Sequence, residues 1–220
     1  MKKHIRAKKI VFSVILLGLV ILVISSYQPI LIGAGRFLAP TGMGKADVVI
    51  LESTELIRED AVRIGLHLLN SGAADRLVMV YQYSENEKIF GRPLNYRGFL
   101  IQELEHLSLR KDQIAIFEVP KEHPITLREA GIVLSNLSKN GTKSAILLSK
   151  GFHTRRSLWA YRQVGIPLGI DVIPRPYFIE YQNENWWQLS LGIGEFVEES
   201  LKFFYYVLRG YIPVKSLLVT

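Results

Sequence analysis

The sequence predicts an α/β fold: a three-layer, Rossmann-like domain on a mainly parallel five-stranded sheet, preceded by one N-terminal transmembrane helix. Three observations carry this. Short apolar runs alternate strictly with amphipathic stretches from residue 46 onward. Strand–helix units in that order make right-handed crossovers and a parallel sheet covered on both faces. Ahead of them, Ile10 to Ile24 carries no charge, and Ser13 is its only polar residue.

That apolar run, extended through Tyr27, is long enough for a bilayer core of ~30 Å. Lys2, Lys3, Arg6, Lys8 and Lys9 precede it, and the first acid is Asp47. Basic residues ahead of a span place the N-terminus in the cytoplasm. The expected arrangement is a basic cytoplasmic tail (1–9), a single-pass anchor (10–27), a Pro/Gly-bearing connector (28–45) and a domain over 46–212. That domain then faces the periplasm or exterior of a bacterial inner membrane. The exit Ile24-Ser-Ser-Tyr-Gln-Pro29 lacks the small-residue pattern of a signal-peptide cleavage site.

Composition narrows the chemistry. The 220 residues are 49% hydrophobic and 21% charged, which supports one full-sized core. There is no cysteine, hence no thiolate metal site and no catalytic thiol; neither a metal nor a cofactor is expected. The net charge is +7, and the basic tail alone supplies five of it. The rest is interspersed, without a basic stripe interleaved with aromatics, so no nucleic-acid partner is expected.

The elements follow in order. Residues 46–51 (ADVVIL) read as a strand buried on both faces. Residues 56–71 place Ile57, Ala61, Ile64 and Leu68 at helical spacing, with Gly72 as a stop. The second strand is 76–81, followed by a polar loop and a helix over 95–108. The third strand is 113–117, and a helix over 126–138 follows it. Asn140-Gly141 leads into the fourth strand, 144–148. A helix over 153–164 and a fifth strand near 170–173 complete the alternation. A closing helix, 192–208, spaces Ile193, Phe196, Val197, Leu201 and Phe204 for packing against the domain. Its tyrosines, with Trp186 and Trp187, could instead meet a bilayer interface. Gly44-Lys45 does not make a phosphate loop, because Ala39 and Ala46 stand where Gly and Ser/Thr are needed.

Ligands of such sheets bind beyond the strand C-termini. After Leu148 comes Ser149-Lys150-Gly151-Phe152-His153-Thr154-Arg155-Arg156. A helix N-terminus favours an anion there. Arg155 and Arg156 offer planar forks, Ser149 a hydroxyl, and His153 a proton near neutral pH. The plain alternative is a solvated basic first turn. Thr126-Leu-Arg-Glu129 fits a capping box, at a helix start facing the same crevice. Glu52, directly after the first strand, replaces the glycine expected of a phosphate cradle.

The order of KADVVIL, Gly72-Ala73-Ala74, Thr126, LLSKGFHTRRS, a Val164-Gly165-Ile166 turn and a Trp-rich tail resembles the YdcF/SanA/ElyC-like family of bacterial envelope-associated domains. The similarity spans about residues 36–212 and rests on Phe152-His153-x-x-Arg156 after a strand. It extends to Asn185-Trp186-Trp187 and the helix carrying Glu195, Glu198, Lys202 and Tyr205. The resemblance implies a Rossmann-like fold, a membrane-anchored protein and a role in envelope biogenesis, including pathways that use polyprenyl-phosphate carriers. It implies no particular reaction. The family's glycines after the first two strands are replaced by Glu52-Ser53 and Gln82, and only Thr126 survives from its Asn-Thr-x-Glu-Asn pattern.

Three functions follow as expectations. The first is binding of an anionic, phosphate-bearing polyprenyl or cell-wall precursor at Arg156, with Ser149, Thr126, Arg155 and Glu52 around it. The second is a hydrolase or transferase acting on such a precursor with His153 as acid/base. The third is a partner-binding module whose pocket is vestigial.

Overall fold

A computed structural model describes residues 2–52, 58–83, 88–89, 92–93, 98, 100 and 111–213. The side chains of 2–11, 13–14, 20–25, 88–89, 92–93 and 111 are left aside. Helix α1 spans Lys2–Leu38. Strand β1 (Val48–Leu51), helix α2 (Glu59–Asn70) and strand β2 (Arg76–Tyr83) follow. Then come β3 (Ile114–Pro120), α3 (Ile125–Lys139), β4 (Ser144–Lys150), α4 (Thr154–Leu168), β5 (Asp171–Tyr177) and α5 (Ser190–Leu208). A two-residue ribbon pairs Lys88–Ile89 with Arg92–Pro93.

The five strands form one parallel sheet in the order β3-β2-β1-β4-β5. This is the expected sheet, and its order reverses between β1 and β4, where a doubly wound sheet opens its crevice. In register, Leu51 lies opposite both Met79 and Leu148. Asp47 sets the start of that pairing. Its carboxylate accepts from the backbone N–H of Lys143 (2.6 Å) and Ser144 (2.9 Å). Alternate strand residues then divide into two cores. Val48, Ile50, Val80 and Leu147 pack with Leu134 of α3 and Tyr161 of α4. Val49, Leu51, Met79 and Leu148 pack with Ala61, Val62 and Leu68 of α2. Three layers result.

Several expectations need correction. The connector over 28–45 is helical up to Leu38, straight through Pro29. Proline reads as a stop because it lacks an N–H, but tertiary contacts hold this helix. Leu31, Leu38 and Ala39 pack with Phe152, Tyr181 and Trp186. Trp186 Nε1 donates to the Leu31 carbonyl at 3.2 Å. Gly35 admits the close approach: a Cβ there would sit 3.0 Å from Trp186 Nε1 and collide with Asn183. Val164-Gly165-Ile166 is helix rather than turn, and the chain turns at Gly169 with φ of 68°. Gly165 is needed for packing, since a Cβ would meet the Ile170 carbonyl at 2.8 Å. The fifth strand runs on to Tyr177 through Pro174 and Pro176, which an edge strand tolerates. The helix expected over 95–108 lies outside the described residues apart from positions 98 and 100.

The largest correction concerns α5. Of its expected packing face only Phe196 is covered. Ile193, Val197, Leu201 and Phe204 are exposed. The covered side carries Gly192, Phe203 and Tyr206, with Glu195 and Glu199 between them. Among the described residues, no helix is long and apolar enough to cross a membrane. Part of the expected span, including residues 20–25, falls among the side chains left aside.

Candidate functional site

The reversal between β1 and β4 puts Glu52 and the Ser149–Arg156 segment side by side. Gly151 takes φ of +43°, open to glycine but strained for other residues, and turns the chain from β4 into α4. Phe152 then enters a cage of Phe178, Tyr181, Trp186 and Phe196, with ring centroids 5.3–5.8 Å away. Anchored by that ring, the next residue, His153, is held at the floor of the crevice.

His153 sits between two carboxylates. Its Nε2 lies 3.1 Å from Glu52 Oε1, and its Nδ1 3.2 Å from Glu199 Oε2. Glu52 is buried, and Ser157 Oγ donates to its Oε1 at 2.5 Å. Arg156 is buried as well. Its Nε and Nη2 donate to the two oxygens of Glu199, each at 3.1 Å. Its Nη1 donates to Thr126 Oγ1 at 2.7 Å, and its guanidinium lies 5.0 Å from the Tyr206 ring centroid.

Charge explains the protonation states. Burial disfavours an imidazolium, but Glu52 and Glu199 outweigh both burial and the Arg156 charge, and lift His153 to about 9. Burial pushes the Glu199 carboxyl up, yet His153, Arg156 and Lys202 hold it well below the usual range. Glu52 is likewise lowered against its own burial by the charge and hydrogen bond of His153. Glu129 goes the other way. Burial and the Glu52 charge raise it to about 8, so it keeps its proton at neutral pH. Two carboxyls near one histidine therefore hold opposite states. The ring has a second partner: Arg156 Nη2 lies 2.7 Å from His153 Nδ1. That contact is favourable when the nitrogen accepts, so losing the ring proton exchanges a bond to Glu199 for one from Arg156.

Thr126 does not cap its helix. The N-cap of α3 is Pro124, and Thr126 stands in the first turn, where its hydroxyl serves Arg156. Glu129 does not turn back to cap either; Tyr161 donates to it at 2.8 Å, and the Gln82 amide nitrogen is 2.7 Å away. The capping box fails because both side chains have buried partners across the sheet edge.

The structure thus brings His153, Arg156, Thr126, Glu52 and Ser149 together. Ser149 is fully buried beside Glu52, and its hydroxyl is one of the groups that hold the Glu52 carboxyl low. Arg155 goes elsewhere: its Nε donates to the Phe37 carbonyl, and its guanidinium lies 4.6 Å from the Phe37 ring centroid on α1. Adjacent residues on a helix point about 100° apart, so the two arginines could not share one site.

In front of this cluster opens a cavity of about 420 Å³. Its wall includes Lys121, His123, Lys150, His153, Arg156 and Lys202, with Glu195, Glu198 and Glu199 from α5 and the rings of Tyr205 and Tyr206. Glu195 pairs with Lys150 at 2.5 Å and accepts from the Tyr181 hydroxyl at 2.5 Å. Lys202 reaches Glu198 at 2.6 Å. Lys121 and His123 have no acidic partner among the described residues. Glu199, Ser157 and Tyr161 went unread in the sequence. Glu195 and Glu199 did leave a signal: two acids at i, i+4 on a helix that must cover a basic helix start. Comparisons with protein-family models, curated proteins and solved structures return no match.

Proposed function

We propose that this is a membrane-anchored, extracytoplasmic protein of bacterial envelope biogenesis, resembling the YdcF/SanA/ElyC-like family. Its strand-end cavity binds a phosphate-bearing, anionic envelope precursor of the polyprenyl-phosphate or cell-wall class. The observation that carries this is the cavity wall. Six cationic or protonatable side chains from β4, α4, α5 and the segment after β3 converge there, at the reversal point where such sheets take ligands. Lys121 supplies positive charge that α5 leaves uncompensated, and the His123 ring lines the same wall. His153 and Arg156 stand behind them, and Thr126 and Glu199 fix the guanidinium. Anchoring is supported by the uncharged run Ile10 to Ile24 behind five basic residues.

Calorimetry on the full chain in detergent tests the binding. Inorganic phosphate and a polyprenyl phosphate are titrated at fixed salt. Lys121 and His123 are exposed, so Lys121→Ala and His123→Ala leave the fold intact. Each charge-assisted bond lost removes about 1.5–3 kcal/mol, about 10- to 150-fold in affinity. Equal affinity in wild type and variants, or no binding of either compound, refutes the reading. Reporter fusions after Thr220 test the topology; a cytoplasmic readout overturns it.

A second reading, acid/base catalysis on the same precursor, is favoured by the split carboxyls. Glu52 holds His153 in its charged form from behind, as an orienting carboxylate does. The ring lines the cavity, and a leaving oxygen would take the place of Glu199 and Arg156 at Nδ1. Turnover lost in His153→Gln with binding retained would separate this reading from binding alone.

A further inference from the structure

We propose that the outer face of α5 is a self-association surface, on which a second copy of this chain packs helix against helix. The face is apolar and open. Ile193, Val197, Leu201, Phe204 and Leu208 are 45–86% exposed, although each lies on a helix whose opposite side is seated in the domain. Monomers rarely leave a contiguous apolar patch of more than a few hundred Å² uncovered.

The spacing fits another helix as the occupant. Gly194, Val197, Leu201, Phe204 and Leu208 follow one another at intervals of 3, 4, 3 and 4 residues. That is the a/d pattern by which helices interlock side chain into hole. Gly194 lies in the same row with open space where a Cβ would be, leaving room for a large side chain from across. Phe37 of α1 widens the patch through Phe203, which touches both it (5.7 Å) and Phe204 (6.0 Å). Fully covering one such side chain gains about 1.5–3 kcal/mol, so a partner that covers the stripe is held by several of them. Two copies of one stripe related by a two-fold axis supply the matching surface on both sides.

A lipid surface fits less well. Helices that lie in the headgroup region carry Lys and Arg on their polar side. Here α5 has Glu195, Glu198 and Glu199 against Lys202 alone, and the first and third of these acids are turned into the domain.

The chain has no cysteine, so one introduced thiol reports on one place. Leu201→Cys sits near the middle of α5, at matching height in either a parallel or an antiparallel pair. Arg63→Cys on α2, 60% exposed, is the control. The full chain in detergent is oxidised mildly and run without reductant, and wild type and Phe204→Glu are sedimented in parallel. The expected result is a covalent dimer for Leu201→Cys only. Wild type should sediment as a dimer, and Phe204→Glu should have a dimer dissociation constant raised at least tenfold. The inference is overturned if Leu201→Cys cross-links no better than Arg63→Cys and wild type is monomeric. It is equally overturned if the thiol introduced by Leu201→Cys, in a monomer, becomes shielded from a water-soluble maleimide only on adding lipid vesicles, which would make lipid the occupant. If Phe204→Glu fails to fold, the cross-linking pair decides alone.

Discussion

The two sides of α5 reverse the usual rule for a surface helix. The side turned into the domain presents Glu195 and Glu199, bonded to Lys150, Tyr181, His153 and Arg156. The side turned outward presents Ile193, Val197, Leu201 and Phe204. Hydrophobic periodicity places a helix only when burial of its apolar stripe is the dominant gain. Here the domain offers a basic helix start with the buried Arg156 and the half-buried His153, and uncompensated charge in such a place is far more costly than an exposed leucine. The acids therefore win the inner position, and the apolar stripe is left for another surface. Aromatic packing at Phe196, Phe203 and Tyr206 seats the helix between its ionic contacts.

The sharpest way to break this arrangement is on the inner side. Arg156→Ala leaves Glu199 without its forked partner and Thr126 without its donor. Removing one member of a buried ion pair costs about 3–5 kcal/mol, so chemical unfolding should show a loss of that size. Arg156→Lys should recover only part of it, because a point charge cannot span both Glu199 oxygens. Next comes Gly192. A Cβ there would collide with the backbone carbonyl of Trp186, and backbone cannot swing away as a side chain can. Gly192→Ala should lose about 1–3 kcal/mol through a displaced helix start, read as a lower thermal midpoint and a weaker phosphate affinity together.

The inner side also makes stability depend on pH. His153 is raised from 6.5 to about 9 on folding, so its contribution is complete below pH 6.5 and lost as pH rises through 9. Glu129 is raised from 4.5 to about 8, and its share is lost between those values. Glu52 and Glu199 are lowered, so theirs is present above about pH 4.5 and lost as pH falls. The thermal midpoint should be highest near pH 4.5 and fall on both sides, most steeply between pH 6.5 and 8, where Glu129 and His153 lose their contributions together. Glu129→Gln should remove part of the alkaline decline, its advantage over wild type growing from pH 4.5 to 8. A midpoint flat from pH 6.5 to 9 would contradict the buried imidazolium. The smallest effect belongs to the outer side. Leu201→Gln, measured where the chain is monomeric, should change unfolding free energy by no more than about 0.5 kcal/mol.

The sheet was legible because its strands are buried on both faces. Runs such as VVIL and AILL have no competing reading once helices alternate with them. The His153/Arg156 corner was legible from strand-turn-helix order, with Gly151 at the turn. What was hidden depends on pairs far apart in the chain. Glu199 meets Arg156 across 43 residues, and Glu52 meets Ser157 across 105; no local pattern records either. Thr126 and Glu129 matched a capping box by spacing, yet tertiary partners claimed both side chains. Pro29 read as a break, because a helix braced from outside by Trp186 looks no different in sequence from one that ends. Arg155 and Arg156 read as one basic pair, although their side chains leave the helix in different directions.

The central claim is that a protonated His153, held between Glu52 and Glu199, fastens α5 over the cavity. Nitrogen-detected NMR of the full chain, labelled on histidine, measures this directly by following the ring nitrogens of His153 through a pH titration in wild type and Glu199→Gln. The account predicts a midpoint near 9 in wild type and a clear fall in the variant, where one of the two stabilising charges is gone. A wild-type midpoint near 6.5, unmoved by Glu199→Gln, would contradict it.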